Sequence, residues 1–98
     1  MEVERRMSRY VMPPHVLRAE LEGEEVLLNP ETGIYHLVNE TGRELLDALR
    51  DGMTLEEAAQ RLADHKRIPA GQAISDATRF VTEMAERGLL AESSESSE

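Results

Sequence analysis

Residues 26–38 read Val26-Leu27-Leu28-Asn29-Pro30-Glu31-Thr32-Gly33-Ile34-Tyr35-His36-Leu37-Val38. Apolar runs rich in β-branched and aromatic residues flank a polar centre, and such runs favour strands. Asn opens a type I turn, Pro presets φ at the next position, and Gly can adopt the left-handed conformation that rejoins the ladder. The stretch therefore predicts an antiparallel hairpin.

A further strand is predicted before this hairpin. Residues 16–21 are rich in apolar side chains with partial alternation, and Glu22-Gly23 follows them. A glycine in the second place suits a tight two-residue turn. Three consecutive strands joined by short turns predict a three-stranded antiparallel meander in the order one-two-three.

The second half of the chain predicts three helices. Asn39 can cap the first, and Thr54 with Glu57 forms a capping box at the start of the second. A third helix spans about residues 70–87, and Gly88 is well placed to end it in the left-handed conformation. The predicted fold class is therefore α+β, with an N-terminal three-stranded sheet followed by three helices.

The length of 98 residues favours one domain. We predict an N-terminal extension over residues 1–14, a folded domain over 15–90, and a disordered acidic tail over 91–98, whose composition offers little to bury. The chain has no cysteine, no signal peptide and no apolar run long enough to span a membrane. These features predict a cytoplasmic protein without a membrane partner.

Several function classes are disfavoured. The net charge of −9 opposes nucleic acid as a partner, because an acidic surface repels phosphate backbones. His15, His36 and His65 lack ligand spacing and there is no cysteine, so no metal site is predicted. We identify no catalytic residue and no cofactor-binding motif, because the sequence shows no Ser-His arrangement, no carboxylate pair in a recognisable pocket and no glycine-rich phosphate loop. The expected protein is not an enzyme.

An apolar stripe on the third helix is wider than one packing surface needs. Most of it is expected to be core, but part could line a groove beside the third strand, which is a sheet edge if the meander order holds. An open edge beside an apolar helix face is the geometry for strand addition by a peptide. The stripe comprises Ala73, Ile74, Ala77, Phe80, Val81, Met84 and Ala85. Its Ile74 margin is the one we favour for the groove, with Met84 in the core.

The sequence resembles the PqqD-like family in the order and spacing of several segments. Residues 26–33 (Val-Leu-Leu-Asn-Pro-Glu-Thr-Gly) and 37–42 (Leu-Val-Asn-Glu-Thr-Gly) carry the resemblance in the strands and the first helix. Residues 49–59 continue it, as do Asp76-Ala77, Phe80-Val81, Met84 and Gly88-Leu89-Leu90. The match covers about residues 15–90. Domains of this family are recognition elements in the biosynthesis of ribosomally made, post-translationally modified peptides.

The resemblance implies a winged helix-turn-helix-like fold and a binding site for the leader segment of a precursor peptide. The leader would add as a fourth strand against the third strand and pack on the third helix. The implied site residues are Ile34, Tyr35, His36, Leu37, Val38, Ala73, Ile74, Ala77, Phe80, Val81 and Met84. The hairpin at residues 29–35 looks most like that of stand-alone members that assist lasso-peptide leader peptidases, which are transglutaminase-like cysteine proteases.

Three other functions stay open from sequence. Some stand-alone members of the family serve the radical enzyme of pyrroloquinoline quinone biosynthesis. The helices of residues 54–88 could form a helix-turn-helix transcription regulator, although the exposed face of the third helix is mixed to acidic and unsuited to DNA. The chain could also be a structural subunit of a larger enzyme.

Overall fold

A computed structural model describes residues 8–93 and contains five strands and three helices. Their order along the chain is β1 (Arg9–Val11), β2 (Leu17–Leu21), β3 (Glu24–Asn29), β4 (Ile34–Val38), α1 (Glu40–Arg50), α2 (Leu55–Lys66), α3 (Ala70–Glu86) and β5 (Ala91–Ser93). The strands form two antiparallel sheets, a three-stranded one in the order β2-β3-β4 and a two-stranded one that pairs β1 with β5. The domain is thus α+β with three helices.

The turns of the three-stranded sheet follow from residues that tolerate a left-handed backbone. Glu22 and Gly23 have φ of 52° and 84°, and they join Leu21 and Glu24, which are paired across the turn. In the second turn, Gly33 has φ of 77°, and its N–H donates to the Asn29 carbonyl at 2.8 Å. Both turns are short, so the register of the three strands is fixed locally.

The helix ends carry the predicted caps. The Asn39 side chain accepts from the Gly42 N–H at 2.8 Å. Thr54 and Glu57 form a complete capping box, with bonds of 3.2 Å and 2.9 Å. Each cap satisfies amides that have no partner within the helix, which fixes where α1 and α2 begin.

A single core lies between the inner face of the three-stranded sheet and the three helices. The sheet contributes Leu27 and Val38, and each helix contributes one apolar face. Leu89 and Leu90 follow the Gly88 turn, which has φ of 73°, and fold back into this core as predicted. None of the helices within residues 8–93 is long and apolar enough to cross a membrane.

The boundaries predicted for the folded domain are too narrow. Residues 9–11, placed in the N-terminal extension, form β1, and residues 91–93, placed in the disordered tail, form its partner β5. Tyr10 is buried in the core. The Ser8 carbonyl accepts from the Leu55 N–H at 2.8 Å, which ties β1 to the start of α2. Three-residue strands carry too little pattern to be predicted, because only long-range pairing and one aromatic anchor define them. The rest of the predicted tail, residues 94–98, lies outside the described residues.

Candidate functional site

The strand β4 forms one edge of the three-stranded sheet. It pairs with β3 on one side, and within residues 8–93 no strand pairs with its other side. An unpaired edge presents a row of backbone donors and acceptors, and natural proteins usually block such an edge unless it is used. Pro and Lys, which commonly block edges, are both absent from β4.

The central strand β3 shares its backbone groups between its two neighbours. A two-residue turn makes Leu21 and Glu24 a hydrogen-bonded pair, so Glu24 and every second residue after it bond to β2. The intervening residues of β3 are then left for β4. The bond from Gly33 to Asn29, with Ile34 opposite Asn29, is the pattern of a glycine bulge and agrees with this alternation.

The alternation identifies the free groups of β4. Ile34, His36 and Val38 lie opposite the residues of β3 that bond to β4, so their N–H and C=O groups point into the sheet. The N–H and C=O groups of Tyr35 and Leu37 therefore point to the open edge. A peptide strand added there would make about four backbone hydrogen bonds, each with a net contribution of roughly 0.5–1.5 kcal/mol.

A groove of about 350 Å³ lies beside this edge, between β4 and α3. Phe80 and Leu45 supply its apolar surface, and His36 contributes from β4. The full lining is His36, Asn39, Thr41, Gly42, Leu45, Asp76, Arg79, Phe80 and Glu83. An apolar patch with polar groups around it suits an extended peptide that buries alternate side chains.

Gly42 permits a close approach between α1, β4 and α3. A Cβ added there would lie 3.0 Å from Phe80 Cε1 and 3.1 Å from Val38 Cγ1. The absence of a side chain on the first turn of α1 therefore lets the Phe80 ring reach the groove wall.

Gly42→Ala will lower the free energy of unfolding by no more than about 1–2 kcal/mol, because the gain in helix propensity partly offsets the new contacts with Phe80 and the buried Val38. Phe80 is only half-buried, so its ring can move toward the groove. If the groove receives the leader peptide that the family resemblance implies, the affinity for that peptide should fall several-fold. Denaturant unfolding and a leader titration check the two expectations, with Gly71→Ala as the control because nothing lies within 4 Å of its added Cβ. Unchanged leader affinity would contradict the role given to the ring.

Charges on the α3 side of the groove are paired locally. Arg79 Nη2 lies 3.2 Å from Asp76 Oδ1, and Arg87 Nη2 lies 3.1 Å from Glu83 Oε2. Exposed pairs of this kind contribute little to stability, and they can exchange partners when a charged peptide binds. The rim of the groove on the α3 side is therefore polar, with Phe80 as its apolar residue.

Asn29 fixes β4 relative to α3. Its buried side chain donates from Nδ2 to the Gly88 carbonyl at 3.3 Å and accepts from the Glu31 N–H at 3.0 Å through Oδ1. The β3–β4 turn is thereby tied to the end of α3. The turn that leads into β4 and the end of α3 are therefore joined at this point.

The opposite edge of the sheet, β2, has a different neighbourhood. Arg18 of β2 forms ion pairs with Glu25 and with Asp47, the latter at 2.9 Å, and Arg43 Nε lies 2.9 Å from Glu25 Oε1. This network joins β2 and β3 to α1. Charged side chains are a usual means of protecting an edge from pairing. An apolar groove adjoins β4, whereas an ionic cluster adjoins β2.

The predicted site residues separate into groups. His36 and Phe80 line the groove, and the backbone of Tyr35 and Leu37 faces the open edge. Ile34 and Val38 lie on the inner face of β4, and Val38 is core. Four of the predicted helix residues are also buried in the core with at most 1% exposure: Ala73, Ala77, Val81 and Met84.

The choice of Ile74 for the groove is corrected by the structure. Ile74 lies in a hollow beside Ala59 and Gln60 of α2, away from β4. The margin of α3 that faces the groove carries Phe80 instead. Sequence periodicity located the stripe, but it could not say which margin packs on α2 and which meets the sheet, because that depends on the helix crossing.

Sequence reasoning missed several residues of the groove. Asn39, Thr41, Gly42 and Asp76 were assigned only to the start of a helix, to a family motif or to an exposed helix face, and Arg79 and Glu83 only to an exposed helix face. Within residues 8–93, no group of three or more His, Asp or Glu side chains is placed to hold a metal ion. The geometry offers backbone pairing and an apolar pocket, which are the elements of peptide recognition.

Comparison with known proteins identifies the family. The family model described as "Coenzyme PQQ synthesis protein D (PqqD)" matches residues 24–90. The chain belongs to the PqqD family. The match begins at the first residue of β3 and ends at Leu90, so it contains β4, α3 and the whole groove. In this PqqD-family chain, β1, β2 and β5 lie outside the matched region. Among curated proteins, none matches the chain significantly.

Two solved structures resemble this PqqD-family domain. One is "Lasso peptide synthetase B1 complexed with the leader peptide", with a TM-score of 0.78 and 25% identity over 85% of this chain and 98% of that one. The other is "TbiB1 in Complex with the TbiA(beta) Leader Peptide", with a TM-score of 0.72 and 24% identity over 81% of this chain and 92% of that one. The fold is therefore that of a known leader-binding protein.

Proposed function

We propose that this protein binds the leader segment of a ribosomally made precursor peptide by strand addition to β4 and presents it to a partner enzyme in lasso-peptide biosynthesis. The observation that carries the proposal is the open edge of β4 next to the Phe80 groove. Backbone bonds to Tyr35 and Leu37 supply affinity that is independent of sequence, and the groove selects side chains. The similar structures described as complexes with leader peptides support the choice of ligand.

The proposed partner enzyme is a leader peptidase of the transglutaminase-like cysteine protease class. The adaptor contributes no chemistry of its own in this proposal and works in the cytoplasm, where the precursor is made. Its contribution is to hold the leader in one extended conformation. The enzyme then binds an ordered substrate, so the entropic cost of ordering the leader in that step is smaller.

A titration with synthetic leader peptides tests the proposal. In ¹⁵N spectra, the amide resonances of Tyr35, of Leu37 and of residues around Phe80 should shift on titration. The resonances of β2 should shift far less. A scrambled leader of the same composition is the control. Shifts confined to the β2 edge, or equal shifts with the scrambled peptide, would refute strand addition at β4.

A second candidate is the chaperone of the radical enzyme in pyrroloquinoline quinone biosynthesis, which the family description favours. The same titration with the pyrroloquinoline quinone precursor separates the two, since the proposed function requires tighter binding of a lasso leader. A winged helix-turn-helix regulator of transcription is the third candidate. Random duplex DNA at low salt tests it, and the net charge of −9 predicts almost no binding.

A further inference from the structure

The face of the three-stranded sheet that points away from the helices is apolar. Cross-strand pairing aligns Leu17, Leu28 and Tyr35 in one row, and Ala19, Val26 and Leu37 in the next. The alternate residues of these strands include the core residues Leu27 and Val38, so the two rows face outward. We call this surface, completed by Leu21, the outer face.

Large side chains of the outer face are exposed. Leu17 is 52% exposed, Leu21 61%, Tyr35 61% and Leu37 55%. Leu21, Tyr35 and Leu37 surround a shallow hollow of about 610 Å³ over Val26 and Leu28. A contiguous apolar patch of this kind on a small domain marks an interaction surface, whereas single exposed apolar residues need no explanation. Within the described residues 8–93, the helices pack on the opposite face, with Leu27 and Val38.

The charges around the outer face indicate what covers it. Glu22 and Glu24 line the hollow. No Lys or Arg occupies an outward position of β2, β3 or β4 within the described residues. A second copy would bring its own Glu22 and Glu24 and a net charge of −9 to the interface, which repulsion opposes. A partner surface with an apolar centre and a rim of Lys or Arg complements this face.

We propose that the outer face is the docking surface for the partner enzyme that acts on the leader, and that this enzyme presents an apolar patch bordered by cations. The inference rests on the proposed function. Tyr35 and Leu37 connect the two sites, because their backbone faces the open edge and their side chains lie on the outer face. A leader added to β4 would extend the outer face by one strand, and the enzyme would contact sheet and leader together.

This arrangement makes docking dependent on the leader. An enzyme that touches both the adaptor and the added strand binds the complex more tightly than the adaptor alone. By linkage, the enzyme increases the affinity of the adaptor for the leader by the same factor. Free adaptor then competes weakly for the enzyme, and only the loaded adaptor delivers substrate.

The test uses Leu17→Arg and Leu21→Arg, both on β2 and far from the leader edge. Val11→Arg is the matched control, because Val11 is 50% exposed but lies on the two-stranded sheet. The probes are a labelled synthetic leader and a catalytically inactive transglutaminase-like peptidase of the same biosynthetic system. Binding of the peptidase is measured with and without leader, and sedimentation reports the oligomeric state of the adaptor.

We expect both β2 variants to stay monomeric and to bind leader as the wild type does, while their affinity for the peptidase falls by at least about tenfold. The double variant Glu22→Lys with Glu24→Lys should bind the peptidase several-fold more weakly. The exposed change Glu86→Lys, which lies outside the outer face, should leave this affinity unchanged. Unchanged peptidase binding in all variants would overturn the proposal. It would also fail if wild-type adaptor formed a dimer that Leu21→Arg dissociated, since a second copy would then be the occupant.

Failure of the two proposals is distinguishable. If the wild type binds no leader but binds the peptidase in a manner sensitive to Leu21→Arg, strand addition is wrong and the docking surface stands. If the leader binds at β4 but every outer-face variant binds the peptidase as the wild type does, strand addition stands and the docking surface is wrong. A parallel loss of leader and peptidase binding in Leu17→Arg would assign the outer face to the leader site and overturn the docking surface.

Discussion

Leu37→Pro will weaken leader binding about 10- to 100-fold in a folded protein. The N–H of Leu37 points to the open edge, so proline removes a bond to the leader and no bond of the sheet itself. The loss is the cost of about 1–3 kcal/mol for the leader carbonyl left without a donor. Each 1.4 kcal/mol is about tenfold in affinity. Fluorescence polarisation with a labelled leader measures it.

Two neighbouring variants make this result interpretable. Leu37→Ala removes the side chain but keeps the donor, so leader affinity should stay close to that of the wild type. His36→Pro removes an N–H that points toward Leu27, so it should break the β3–β4 ladder and lower the unfolding temperature. Normal leader affinity in folded Leu37→Pro would exclude strand addition at β4.

Glutamate substitutions along α3 should have three different effects. Met84 has no exposed surface, so Met84→Glu places a carboxylate in the core at a cost of several kcal/mol. Since small domains are stable by only about 5–15 kcal/mol, most of the stability is lost. At about 4–8 °C for each kcal/mol, a fall of tens of degrees in Tm is expected, if a transition is visible at all. Circular dichroism melts measure this.

The other two variants keep the fold. Phe80→Glu places its charge in the groove, where it can reach water, so the protein should fold but bind leader weakly or not at all. Ile74→Glu lies beside α2 in the hollow that Glu56 also lines, so it should cost about 1–2 kcal/mol of stability and leave leader affinity unchanged. If Ile74→Glu abolished leader binding and Phe80→Glu did not, the leader site would lie on the Ile74 margin of α3 and the assignment to the Phe80 margin would be wrong.

Only part of the site could be predicted from the sequence. The strand β4 was predicted at residues 34–38 because its turn chemistry and apolar run are local signals, and α3 because its stripe recurs at helical spacing. The groove margin was assigned wrongly. Phe80 and Ile74 both border the stripe, and the choice between them depends on how α3 crosses α2 and the sheet. Periodicity within one helix does not contain that angle.

The outer face shows a related limit. Its residues alternate along β2, β3 and β4, so each strand appears half-buried, and alternation alone does not say which set meets the core. Leu27 and Val38 pack against the helices, whereas Leu37, which is no less apolar, is exposed. The face toward the helices mixes Leu27 and Val38 with polar residues such as Glu25 and Asn29, so apolar content alone does not identify the core face, and only the docked helices do.

Local chemistry thus determined the turns at Glu22-Gly23 and Asn29-Gly33, the caps at Asn39 and Thr54, and the reversal at Gly88, because each depends on the conformation of a few adjacent residues. Tertiary structure alone decided the pairing of β1 with β5, the contact of Asn29 with Gly88 and the side of α3 that forms the groove. These features join residues that are distant in the chain. Their free energy comes from contacts that exist only after the helices have packed on the sheet.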